Sequence, residues 1–90
     1  MARFEFDRDK DQANRTRHGV PLSLASEFGW DSALVWVDDR FEYGELRMIA
    51  QAPETHILYY VAFVDRRDAR RIISLRRATR REVIHYVESF

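Results

Sequence analysis

The nine residues His56-Ile57-Leu58-Tyr59-Tyr60-Val61-Ala62-Phe63-Val64 are apolar at odd and even positions alike. A strand with one wet face alternates apolar and polar side chains. A strand apolar on both faces has to lie inside a sheet with cover above and below. The run is too short to span a membrane as a helix, and its β-branched and aromatic content suits a strand. It therefore predicts a central strand, and the rest of a ninety-residue chain has to supply its neighbours.

Those neighbours can be placed by pattern. Arg3-Phe4-Glu5-Phe6 alternates and reads as a short strand with Phe4 and Phe6 on the buried side. Asp7 is a candidate N-cap for a helix from Arg8 to about His18, closed by Gly19. That helix has one aliphatic residue, Ala13, and little to bury. Lys10, Asn14, Arg17 and His18 share one of its faces, either as an exposed polar end or as groups facing RNA or a partner. Val20-Pro21 opens a second, short helix with Leu24, Ala25 and Phe28 as its buried stripe, ended by Gly29. Ala33–Val37 reads as a strand, Asp38–Gly44 as a connection, and Glu45–Ala50 as a third strand with Leu46, Met48 and Ala50 inward. Gln51–Thr55, which contains Pro53, reads as the hairpin loop before the central strand.

The stretch Asp65–Glu82 holds eight of the fourteen arginines. Around the strand core Ile72-Ile73-Ser74-Leu75 it predicts a hairpin turn, a last strand and a helix start. Thr79 and Glu82 fit a capping box. The final helix, Thr79–Phe90, places Val83, Tyr86, Val87 and Phe90 on its core side. Short loops between strands imply an antiparallel meander with the helices on one face. The expected fold is α+β: an antiparallel sheet of about four to five strands, two N-terminal helices and one C-terminal helix, in one domain over residues 1–90.

The neutral total charge hides an asymmetry. Residues 1–64 carry seven Lys/Arg against eleven Asp/Glu, and residues 65–90 carry eight against four. Guanidinium is always charged and offers a planar fork matched to phosphate. Arg80 and Arg81 stand in the first turn of the last helix, where the helix dipole disfavours cations. An anion outside the fold would compensate them; a solvated face paired with Asp65, Asp68 and Glu82 is the other reading.

No phosphate-cradling glycine loop, HExxH motif or nucleophile elbow is legible. His18, His56 and His85 lack ligand spacing, so no metal or cofactor is expected. The absence of cysteine fits a reducing compartment. The start of the chain lacks the apolar run of a signal peptide, so the expected location is the cytoplasm and no membrane partner is expected. Lys10, His18, Glu45, Arg47, the arginine stretch and Tyr86 suffice in kind for metal-free RNA cleavage, which needs a base, an acid and cations for the phosphorane. His56 and His85 fit structural roles, Tyr86 the core, and Glu45 an ion pair.

Phe4-Glu5-Phe6-Asp7, Lys10, Asn14, His18-Gly19-Val20, Tyr43-Gly44-Glu45 with Arg47, and Arg71–Thr79 with Arg80, Glu82 and Tyr86 together resemble the BrnT toxins of bacterial type II toxin–antitoxin systems. The resemblance implies a RelE-like fold and a ribonuclease that arrests translation and growth by cutting RNA. It implies a ribbon-helix-helix, BrnA-like antitoxin, two of each protein in a heterotetramer, and operator DNA bound only through that antitoxin. On this reading Lys10, His18, Arg47, Arg71, Arg76 and Arg77 carry catalysis. Arg17, Arg66, Arg67, Arg80 and Arg81 hold RNA. A non-catalytic arginine-rich module for nucleic acid or an acidic protein is the alternative.

Overall fold

The computed structural model describes residues 3–90. Its centre is the expected one. Strand β4 (Ile57–Arg66) is the third of five in a sheet ordered β1-β5-β4-β3-β2. The others are β1 (Arg3–Phe6), β2 (Leu34–Val37), β3 (Met48–Glu54) and β5 (Ala69–Arg77). Neighbours pair antiparallel except β1, which runs parallel to β5 from Arg3 opposite Ala69 to Phe6 opposite Ile72. The sheet is thus mixed, not a pure meander. The first strand joins the edge of the last one, and a parallel partner needs a long crossover.

Helix α1 spans Arg8–His18 with the expected caps: the Asp7 carboxylate accepts from the Lys10 N–H at 3.0 Å, and Gly19 takes φ 75°. Although the helix is nearly without aliphatic side chains, it is firmly attached. Its buried residues are Asp11 and Asn14. Asn14 donates to the carbonyls of Leu75 (2.8 Å) and Val20 (2.9 Å) and accepts from the Leu75 N–H (3.0 Å). Since β1 pairs with β5 only as far as Ile72, the Asn14 amide takes over the edge of β5 where β1 stops. Asp11 accepts from the Leu22 N–H at 2.8 Å and from Arg15. That backbone N–H, with Arg15, holds its carboxyl below the usual range against the opposing effect of burial.

The second helix is 3₁₀ rather than α, over Leu22–Glu27, with another short 3₁₀ turn at Trp30–Ser32. Leu22, Ala25 and Phe28 are buried; Leu24 is only partly so. Ladder partners share a face, so Tyr59, Val61 and Phe63 of β4 stand with Ile72 and Leu75 of β5 on an inner face. The 3₁₀ segments close this face. Phe28 stacks on Tyr59, and Trp30 meets Phe63 edge-on and stacks on Phe4. Arg70 lies over Trp30 and Phe63 and pairs with Asp65.

Four further expectations need correction. Gln51–Glu54 is strand, and the turn is Thr55-His56, with Thr55 at φ 56°. Pro53 is tolerated because the ladder with β2 ends at Gln51; beyond it Pro53 faces Gly29, whose N–H donates to the Pro53 carbonyl at 2.8 Å, and the missing Pro53 N–H costs no ladder bond. Strand β3 starts at Met48, and Leu46 is exposed. Phe6 is 37% exposed, because β1 is short and lies at the edge of the sheet.

The fourth concerns α2 (Arg80–Glu88), whose capping box is present as expected. Its apolar side chains are not a core face: Val83, Ile84, Val87 and Phe90 are all exposed. The helix instead lies toward the outer face of the sheet, so the helices do not share one side. It is held by polar and aromatic contacts: Glu82 to Arg76, His85 edge-on to Trp36, and the Tyr86 hydroxyl to the Ser32 carbonyl. Among the described residues no helix is long and apolar enough to cross a membrane.

Removing the Asn14 amide leaves two buried backbone groups of β5 without partners, each worth about 1–3 kcal/mol. Asn14→Ala is expected to lower unfolding free energy by about 3 kcal/mol in urea denaturation. Asn14→Asp, which keeps the acceptor and loses the donors, is expected to recover only part of that loss.

Candidate nucleic-acid interface

Strand alternation decides which arginines share a surface. Arg76 pairs with Tyr60 and Arg77 with Tyr59, so the two adjacent arginines stand on opposite faces of the sheet. The outer face carries Trp36, Ile49, Gln51, Tyr60, Ala62 and Val64. The register of β4 against β5 shifts between Ala62 and Phe63, so Ile73 is an extra residue and the strand bulges there.

Two clefts run over this bulged part of β5. One, of about 290 Å³, lies between α1, β5 and the connection from β2 to β3; Lys10, Tyr43, Arg47, Arg66 and Arg71 line it. The other, of about 170 Å³, follows α1 and is lined by Lys10, Asn14, Arg17, His18 and Ser74. Lys10 and Ile73 line both, so the two clefts adjoin and are treated together as a groove. A wider, open hollow of about 580 Å³ lies within the connecting segment itself, Val37 to Arg47.

The groove therefore gathers Lys10, Arg17, His18, Arg47, Arg66 and Arg71 from three distant stretches of sequence. It does not gather all the expected residues. Arg67 sits at φ 52° in the turn before β5, and Arg80 and Arg81 are exposed in the first turn of α2. None of these lines either cleft.

Most of the arginines are already matched. Arg71 pairs with Glu5 at 3.6 Å, and Arg66 with Glu45 at 3.1 Å as expected for that glutamate. Arg76 makes a two-pronged pair with Glu82 at 2.8 and 2.9 Å and lies 4.2 Å from the centre of the Tyr60 ring. The hydrogen bonds that Arg76 donates to Glu82 raise its affinity for its own proton. Burial opposes ionisation of Glu82, but the Arg76 fork and the Thr79 N–H still hold it below the usual carboxylate range. Arg76 thus ties α2 to β5. By contrast, Lys10, Arg17 and His18 make no ion pair among the described residues.

His18, half-buried at the end of α1, is pushed below its ordinary value of 6.5 by burial first and then by the positive charges of Arg17 and Arg76. These effects favour the neutral imidazole, the form able to accept a proton. His56 lies exposed in the β3–β4 turn. Among the described residues there is no group of three or more His, Cys, Asp or Glu placed to hold a metal ion.

Sequence reasoning missed the connection between β2 and β3. Asp38, read as part of a turn, is buried with its carboxylate between Arg40, Tyr43 and Arg47. The only sequence signal was the density of Asp, Arg and Tyr between two strands. Gln51, read as loop, is buried on the outer face, and its Oε1 has no hydrogen-bond partner among the described residues.

These features define the class: a small mixed-sheet α+β domain with a cation-lined groove between a helix, a strand and a loop. The family described as "Ribonuclease toxin, BrnT, of type II toxin-antitoxin system" matches residues 6–82, nearly the whole chain, and the protein belongs to that family. That family is described as one of ribonuclease toxins, and a type II system implies a cognate antitoxin. No curated protein matches the sequence.

Removing one of the positive neighbours of His18 makes its proton easier to hold. A ring-proton NMR titration is expected to give a midpoint below 6.5 for His18 in the wild type, moving upward in Arg17→Gln. Because the unfolded chain takes up this proton more readily, the fold also loses stability as pH falls below that value. A midpoint unchanged by Arg17→Gln would remove Arg17 from the electrostatics of the groove.

Proposed function

We propose that the protein is a metal-independent endoribonuclease that inhibits translation and growth by cutting RNA along the groove between α1, β5 and the Asp38–Arg47 segment. The observation that carries this reading is that Lys10, Arg17 and His18, all without ion pairs among the described residues, stand with Arg47 and Arg71 along two adjoining clefts. His18 takes the proton of the 2′-hydroxyl; its neutral form suits a base. The 2′-oxygen then attacks phosphorus and the bond to the 5′-oxygen breaks. Lys10, the only lysine of the chain, supplies the proton to the departing oxygen. Guanidinium cannot replace it, because arginine does not release its proton in this pH range.

Lys10 and His18 are eight residues apart on α1, about 12 Å along the helix axis at ~1.5 Å per residue. The long, flexible stem of Lys10 has to cover part of that span. Arg17 stands beside His18, and Arg47 and Arg71 stand near Lys10, so the arginines flank both ends and stabilise the phosphorane charge and the adjoining phosphates. Arg66 extends the strip. Arg76 contributes through its charge and by fixing α2. Arg77, on the inner-face side of β5, and Arg67, Arg80 and Arg81 serve longer RNA outside the groove. The overall arrangement is RelE-like. The antitoxin is a BrnA-like ribbon-helix-helix protein that assembles with the toxin as two of each and carries the complex to operator DNA, in the cytoplasm.

Purified, antitoxin-free protein is expected to cut RNA in excess EDTA. Lys10→Arg is expected to bind RNA about as well as wild type and to cut it at least about a hundredfold more slowly, the lower end of the general-acid contribution. Cleavage abolished by EDTA and restored by magnesium would overturn the metal-free mechanism. Full activity in Lys10→Arg would remove Lys10 from proton transfer.

A further inference from the structure

We propose that Asp38 is a positioning residue for RNA cleavage: it fixes Arg47 and Tyr43 on the wall of the groove and acts through them without touching RNA. The inference rests on the ribonuclease reading above and adds a residue to it.

Four donors converge on the two oxygens of this one carboxylate. Arg40 donates from Nε to Oδ1 at 2.8 Å and from Nη2 to Oδ2 at 2.9 Å, and its backbone N–H lies 3.3 Å from Oδ1. The Tyr43 hydroxyl donates to Oδ2 at 3.0 Å. Arg47 Nε stands 4.0 Å from Oδ2. The Asp38 backbone N–H also donates to the Arg47 carbonyl at 2.8 Å, which closes the base of the connecting segment. The side chain is 1% exposed. It has neither surface for RNA nor a free oxygen for a proton. With Arg40 first and Tyr43 next, these bonds hold the carboxyl well below the usual range, so it stays ionised throughout the working pH of an enzyme.

Stability alone is a poor reason for such a cluster. Burying an ion pair costs nearly as much in lost hydration as the attraction returns, and apolar residues of similar size often do as well. What the cluster supplies is geometry. Segment 38–47 has no regular structure, turns through Gly44 at φ 77°, and carries exposed Phe41 and Leu46. Within it, Tyr43 and Arg47 are half-buried, and the Arg47 guanidinium lies 4.4 Å from the centre of the Tyr43 ring. The buried Arg47 Nε has no hydrogen-bond partner among the described residues. Arg47 is therefore held by the charge of Asp38 and the face of Tyr43, without a bond that engages its fork. Arg47 and Tyr43 line the cleft with Lys10 and Arg71; Asp38 does not. The carboxylate sits behind the wall and sets the direction of the arginine in it.

The test follows cleavage of an mRNA in a translating extract, where free and ribosome-bound RNA are both present, at increasing enzyme concentration. This gives a maximal rate and a half-saturating concentration. Asp38→Asn keeps the shape and removes the charge. It is expected to lower the maximal rate by about 10- to 100-fold, the scale of a small misplacement of a catalytic group, with a nearly unchanged half-saturating concentration. In an Arg47→Ala background the same change is expected to have almost no further effect, because its action runs through Arg47. Circular dichroism reports whether each variant is folded. Should Asp38→Asn not fold, Tyr43→Phe removes one of the bonds and leaves the ion pairs; its loss of rate is likewise expected to vanish in Arg47→Ala. Wild-type rates in folded Asp38→Asn, or effects that multiply with Arg47→Ala, would overturn the inference alone. An uncut mRNA with the wild-type protein would overturn the ribonuclease reading and the inference with it.

Discussion

The side-chain amide of Asn14 decides where α1 sits, and hence that there is a groove at all. A helix with one aliphatic residue cannot be held by apolar burial, the usual anchor of a short helix. Asn14 substitutes for a strand: it pairs with both backbone groups of Leu75 just beyond the end of β1. Asp11, one turn earlier, fastens the same helix to the start of the 3₁₀ segment. With Asn14 and Asp11 turned inward, Lys10, Arg17 and His18 come to lie along the outer side of β5. The bulge at Ile73 displaces the strand beneath them.

The number of arginines says less about the groove than their pairing does. Arg66, Arg70, Arg71 and Arg76 each face a carboxylate within 4 Å. A paired guanidinium has partly spent its field, and an incoming phosphate must compete with the carboxylate it already holds. The unpaired positive charge on the groove comes instead from α1. The arginine-rich strand acts as a scaffold of balanced charges, and the otherwise unremarkable polar helix supplies the groups free to meet a polyanion.

Local rules read the chain well where the determinant is local. The caps at Asp7, Gly19, Thr79 and Glu82 are set by residues within four positions, and the central strand by its own composition. Residues Phe4 to Asp7, Asn14, Gly19, Thr79 and Glu82, which carried much of the family resemblance, prove to be structural: caps, a strand and an edge clip. The misses arose where distant contacts decide. Pro53 looked like a turn, but the β2 ladder ends at Gln51 and Gly29 meets Pro53 through its carbonyl alone. The apolar side of α2 looked like core, yet its contacts to the sheet are made through Glu82, His85 and Tyr86. Grouping Arg76 with Arg77 ignored the alternation of a strand, which was legible all along. The Asp38 cluster was not legible, because four short-range polar residues carry no periodic signal and form a unit only once β2 and β3 pair.

The most direct test of this account is an NMR titration with a short RNA made uncleavable by 2′-O-methylation, at two salt concentrations. The account predicts shift changes concentrated on Lys10, Arg17, His18, Arg47, Arg71 and Ser74, weaker at higher salt. Changes confined to Arg67, Arg80 and Arg81, with the groove residues silent, would contradict it and place RNA on the turn and the start of α2.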